Sequence, residues 1–161
     1  CKEYLAALHY HGYLKTIESV DKLAKSLVDQ ASLLSLGQWI NEYRTKLATE
    51  YAKRYTVMRL KERYCVAVGQ APPDLRSEVG NLLSQKSECD FSVIVTFDPA
   101  TDSFWLSFRA SNESSVDLSL ISSEIFGGGG HPKAAGATIA REDWPKYFTV
   151  HDLACKKMSE L

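Results

Sequence analysis

A chain of 161 residues is long enough for one domain with its own core, or for a small domain carrying a helical extension. With 45% apolar and 24% charged residues it is not an intrinsically disordered chain, and its formal net charge of −1 excludes a global positive field for nucleic acid. Any such partner must be gripped locally. No run approaches the roughly 20 apolar residues of a membrane span, so no membrane partner is expected. The first ten residues carry Lys2, Glu3 and His9 and do not make a signal peptide. A start at Cys1, with no Met, is what a fragment or processed product gives. Cys1, Cys65, Cys89 and Cys155 are scattered without a CxxC pair. They read as reduced thiols, in the cytoplasm or another reducing compartment, with an organelle left open.

Up to about residue 61 the sequence is helical in texture, with almost no Gly or Pro. Leu23, Leu27, Ala31 and Leu34 recur at three- and four-residue steps on one helix face, and Gly37 is a plausible stop. Trp39, Tyr43, Leu47, Tyr51 and Tyr55 fall every fourth residue and predict a second helix, whose aromatic stripe suits core or interface packing. From Glu42 to Arg63 there are seven Lys/Arg against three Asp/Glu, as a solvated helix face requires.

From residue 62 the texture changes, and a second segment, 62–161, is expected to form a domain of its own. Tyr64 to Val68 reads as a buried strand, and Pro72-Pro73 fixes the loop after it. Ser77 to Lys86 has Val79, Leu82 and Leu83 at helical spacing. Phe91 to Phe97 returns to strand, Asp98 to Ser103 is turn chemistry, and Phe104 to Phe108 answers as the second arm of a hairpin. Leu118 to Phe126 predicts a helix and Ala134 to Ala140 a strand. A closing helix follows, with Trp144, Phe148 and Leu153. This alternation predicts an α/β fold: a mixed β-sheet with helices packed on it, preceded by an N-terminal helical segment.

The stretch that speaks to function is Phe126-Gly-Gly-Gly-Gly-His-Pro-Lys-Ala-Ala-Gly136. Four consecutive glycines are costly to order, and make sense where positive φ is needed or where a ligand must approach bare main chain. Exposed N–H groups of Gly127, Gly128, Gly129 and Gly130 would form an anion-binding concavity. His131 could donate to a phosphate oxygen, and Lys133 could add charge. The bland alternative is a glycine-rich hinge with an incidental histidine.

The whole string resembles the GGGH motif of the DHH-associated domain, the C-terminal half of DHH-family phosphoesterases such as RecJ-like exonucleases, nano-RNases/pAp phosphatases and cyclic-dinucleotide phosphodiesterases. Ser77-Glu-Val-Gly-Asn-Leu-Leu83 is similar to that family's serine–x–x–Gly–Asn helix. Asp90-Phe91, Ser107-Phe-Arg109 and Val116-Asp-Leu-Ser119 look like its next three motifs, in the family's order across residues 60–142. The resemblance implies a substrate-binding domain that faces a metal-bearing DHH domain of the same parent chain. Arg109 would then pair with substrate phosphate, Gly127 to Gly130 would offer amides, and His131 would reach towards the scissile phosphate or its neighbour. For Arg109 the alternative is a salt bridge at a strand end. Ser77 and Asn81 could touch ligand, or only cap and brace their helix. Ala110 departs from the family, where a second serine is common.

In that family two divalent metals, usually manganese, are held by aspartates and a DHH string; this sequence contains no DHH and no DxD. His9-Tyr-His11 lacks the carboxylates that hard cations prefer and reads as incidental. No catalytic or metal-binding residue is therefore assigned, and the chain alone is expected to be inactive. What the resemblance implies is the substrate-holding part of a phosphodiesterase or exonuclease that hydrolyses short oligonucleotides or small nucleotides. The alternative is a non-catalytic nucleic-acid-binding or protein-interaction module of the same fold, as in the C-terminal domain of alanyl-tRNA synthetases.

Overall fold

A computed structural model of the chain describes residues 30–150. The described residues divide into two units between Leu47 and Ala48. Helix α1, Gln30–Ala52, passes without a break through Gly37, so the stop expected there is not used. One glycine in a helix interior costs about 1 kcal/mol, which a helix of 23 residues tolerates. Trp39 and Tyr43 of the aromatic stripe are exposed and do not enter a core. His9, His11, Leu23 and Leu27 lie outside the described residues, as do Leu153 and Cys155.

The second unit is built on one seven-stranded sheet in the order β5-β6-β4-β3-β2-β1-β7. Its strands are β1 Tyr55–Leu60, β2 Tyr64–Gln70, β3 Phe91–Asp98, β4 Ser103–Arg109, β5 Gly129–His131, β6 Ala134–Ala140 and β7 Phe148–Val150. Only β2 and β3 run parallel, as a connection through a helix allows; that helix is α2, Arg76–Leu83. The α/β expectation with a mixed sheet is met, and β3, β4, β6 and helix α3, Leu118–Phe126, sit where the sequence placed them.

Residues 55–60 differ from expectation, because the helical stripe ends and Tyr55 starts a strand. The sequence Tyr-Thr-Val-Met-Arg-Leu suits a pleated, half-buried surface better than a helix. The turn into β2 uses positive φ at Lys61 and Glu62, positions where glycine or asparagine would normally announce it. Tyr147 holds this turn, accepting the Lys61 amide at 2.9 Å and lying beneath its ammonium group. The closing helix also differs. Among the described residues a 3-10 turn at Arg141–Asp143 leads into a single α-helical turn, α4, Trp144–Tyr147, and Phe148 continues into β7 against β1.

The two sheet faces have separate tasks. One carries the core: Phe91, Val93, Leu106 and Phe108 meet Leu118 and Ile121 of α3. Aromatic contacts finish it, with Phe126 stacked on Phe108 at 5.4 Å and Trp144 on Phe148 at 4.2 Å. The other face receives α2 only over β2, β3 and β4.

Candidate functional site

Register places the motif residues relative to one another. Arg109 of β4 stands opposite Ala134 of β6, and Ala134 stands opposite His131 of β5. Partners directly opposite in antiparallel strands project to the same face. Arg109 and His131 therefore share one row and one face, two strand spacings or roughly 10 Å apart. The next row on that face is Ser107, Gly136 and Gly129, and the one after it is Trp105 and Thr138. Small residues at its centre make this uncovered part of the sheet a shelf, with α2 as its wall.

Helix α2 fixes the Arg109 side chain. Buried Ser92 donates to the Gly80 carbonyl at 2.7 Å and ties the helix to β3, while Gly80 leaves room for the aliphatic stem of Arg109. The Arg109 guanidinium donates to Ser77 Oγ at 2.9 Å, Ser107 Oγ at 3.2 Å and the Phe108 carbonyl at 2.8 Å. Three of its five N–H groups are thus engaged, and among the described residues one on Nε and one on Nη2 have no partner. That pair is enough for a bidentate grip on an anion. Burial lowers the guanidinium pKa from its ordinary value, but an arginine stays charged at any ordinary pH. Among the described residues no carboxylate lies in ion-pair range of it, so the strand-end salt bridge is not formed. A partly buried cation without a counter-charge is costly, and an anionic ligand would relieve it.

Ser77 accordingly braces Arg109 from the first turn of α2 and does not cap the helix, whose N-cap is Leu75. Asn81 is exposed one turn further along. His131 is exposed, and no hydrogen bond to a described residue holds its ring.

The four glycines do different things. Gly127 (φ 67°) terminates α3 in the left-handed conformation, and the amides of Gly127 and Gly128 donate to Ser123 and Ser122 carbonyls. Those two donors are committed, so the expected open cradle of four amides is not present. Gly128 and Gly130 allow close packing: a Cβ at Gly128 would stand 2.3 Å from the Gly136 carbonyl oxygen, and one at Gly130 2.4 Å from the Ala135 Cα. Gly129 faces open space. Free amides are confined to the outer edge of β5, where alternate N–H groups point away from the sheet. Lys133 is diverted as well, its ammonium binding the Ser114 carbonyl.

Sequence reasoning missed Ser122 and saw Asp90 only as a motif member, without a structural task. Buried Ser122 donates to the Gly136 carbonyl at 2.7 Å and locks α3 to β6 beneath Gly128. Asp90, opening β3, receives the Cys65 amide at 2.8 Å and donates its own to the Cys65 carbonyl at 2.7 Å. Ala110 is buried, and a serine there would need a partner for its hydroxyl. A groove of about 530 Å³ lies between Gly127-Gly128 and Trp105, with Arg76, Ser107 and Gly136 in its lining. A larger cavity of about 890 Å³, lined by Tyr51, Met58, Phe104 and Trp144, holds none of the motif residues.

No family model and no curated protein sequence matches this chain. Among solved structures, the pGpG-specific phosphodiesterase PggH from Vibrio cholerae aligns over 74% of this chain and 41% of its own, at 14% identity and a TM-score of 0.51. The two share a fold. An uncharacterized protein from Helicobacter pylori G27 is 22% identical over 68% of this chain and 28% of its own, with a TM-score of 0.39. An exopolyphosphatase-related protein from Bacteroides fragilis is 16% identical over 88% and 41%, with a TM-score of 0.44. The chain spans less than half the length of each.

Asp117 positions the helix that delivers the glycines. Its Oδ1 accepts the amides of Ser119 at 2.9 Å and Leu120 at 3.3 Å, and together with the Ser119 hydroxyl these hold the carboxyl below its ordinary pKa. A depressed carboxylate stabilises the fold above its unfolded-state pKa, and that stabilisation is lost as pH falls through the folded-state value. Asp117→Ala is expected to lower the melting temperature at neutral pH and to flatten the acid limb of the melting curve series. Parallel acid limbs for the two proteins would remove the cap from this account.

Proposed function

We propose that this chain is the substrate-holding part of a DHH-type phosphodiesterase that acts on short oligonucleotides or small nucleotides. One observation carries the proposal: a partly buried guanidinium with two donors unmatched among the described residues shares a sheet row with an exposed imidazole. The order of the five sequence motifs supports it, as does the fold held in common with a pGpG-specific phosphodiesterase. On this reading Arg109 holds a phosphate in bidentate fashion, His131 donates to a neighbouring oxygen, and the outer edge of β5 adds main-chain donors. Ser77 and Ser107 act through Arg109, fixing its plane before the ligand arrives, and Ser92 holds α2 and the Arg109 main chain together.

Two divalent metal ions, manganese in the resemblance, would activate the attacking water in such an enzyme. The described residues do not fit them, because no group of three His, Cys, Asp or Glu comes together among them. Their ligands would have to come from a DHH domain, and no hydrolytic step is derived from this chain's residues.

Calorimetric titration of the 161-residue chain with a 5′-phosphorylated dinucleotide and with the same dinucleoside lacking that phosphate tests the assignment. The phosphorylated form is expected to bind at least about tenfold tighter, the worth of a charge-assisted contact. Equal affinities, or binding confined to long RNA, would instead favour a non-catalytic nucleic-acid module.

A further inference from the structure

Trp105 has no part in the phosphate contacts, yet it is the large aromatic group on the shelf. It lies on β4 two residues before Ser107 and is 49% exposed. Nothing in the core requires an indole here, since the cross-strand neighbours on its row are Thr96 and Thr138. The Arg76 guanidinium stands over the ring with its Cζ 5.8 Å from the centroid. That is the outer limit of a cation–π contact, and a planar ring between the two groups would need about 3.5 Å on each side. Arg76 Nε donates to the Pro73 carbonyl at 3.4 Å, a long bond on an unbranched side chain, and a lift of about an ångström would admit a base. The groove between this pair and Gly127-Gly128 is open, with Ser107 and Gly136 in its lining.

Resting on the phosphate assignment above, we propose that Trp105 and Arg76 form a nucleobase clamp. The base stacks on the indole, and the guanidinium covers its other side. Four residue steps along β4, roughly 13 Å, take the strand from Trp105 to Arg109. A dinucleotide can bridge that distance with a phosphate at Arg109, whereas a lone phosphate or a sugar phosphate cannot. The clamp thus gives the shelf its preference for a short oligonucleotide, and because every base offers a π-face it is tolerant of sequence.

The test compares two probes on the full chain: a 5′-phosphorylated dinucleotide, and ribose 5′-phosphate, which has no base. Trp105→Ala is expected to weaken dinucleotide binding roughly 5- to 100-fold, the span of one base stack, and to leave ribose 5′-phosphate binding unchanged. Trp105→Phe keeps an aromatic face and is expected to recover most of the loss, which separates stacking from a folding defect. The clamp is overturned if Trp105→Ala binds the dinucleotide normally, or if both probes weaken equally. Should Arg109→Ala abolish dinucleotide binding while Trp105→Ala does nothing, the clamp fails and the phosphate site stands. Should neither variant alter binding, both fail.

Discussion

Replacing Arg109 by alanine is expected to weaken binding of a phosphorylated dinucleotide by about 10- to 100-fold, the equivalent of losing charge-assisted hydrogen bonds worth about 1.5–3 kcal/mol. Arg109→Lys should recover little of it, because an ammonium group cannot reproduce a planar fork held from three sides by Ser77, Ser107 and the Phe108 carbonyl. Folding should suffer much less. The two serine hydroxyls freed by the change lie near solvent and can turn to water, and Ser92 still ties α2 to β3. Urea unfolding run beside the titrations keeps the two effects apart. Undiminished dinucleotide binding by a folded Arg109→Ala protein would remove the phosphate site from the shelf.

The glycine run offers the second large effect, and one that divides stability from binding. Gly130→Ala combines a φ of 149° with a Cβ only 2.4 Å from the Ala135 Cα and 2.6 Å from the Ala134 carbonyl oxygen. The β5–β6 pair cannot absorb that without separating, and a loss of about 2–5 kcal/mol in unfolding free energy is expected. At Gly129 nothing lies within 4 Å of the added methyl and φ is not positive. Gly129→Ala should therefore leave stability within about 1 kcal/mol of the parent. The methyl projects onto the shelf beside Ser107 and Gly136, so ligand affinity should fall. Denaturant unfolding paired with titration checks both. A stable Gly130→Ala protein, or a Gly129→Ala protein that binds normally, would contradict the assignment.

What could be read in the sequence follows from which physical signals are local. The strands β3 and β4 announce themselves by β-branched and aromatic residues around the Asp98–Asp102 turn, and α3 by its apolar spacing and the Asp117 cap. Strand β1 was hidden because its turn uses Lys61 and Glu62, residues that look helical, in a backbone conformation that usually selects glycine. Strand β5 was hidden for the opposite reason: Gly129 and Gly130 have no side chains from which an alternation could be seen. The two residues of the proposed phosphate site, Arg109 and His131, were visible as motif members. Their common row was not, since it depends on registers across β4, β6 and β5 that no local pattern encodes. The separate tasks of the four glycines were equally hidden, because each depends on what its missing Cβ would strike.

The pairing of β7 with β1 brings Val150 beside Met58 and Phe148 beside Leu60. Of all the ladders in the sheet it joins the most distant parts of the chain, and it forms last in any sequential synthesis. Until Phe148–Val150 arrive, the outer rim of β1 offers its unpaired amides and carbonyls to any other extended chain. Productive folding is thus a race between this late closure and wrong pairing between molecules, and contacts of such long sequence separation form slowly. The three residues Phe148–Val150 act as a selvage, the bound edge that keeps the fabric from joining to its neighbour.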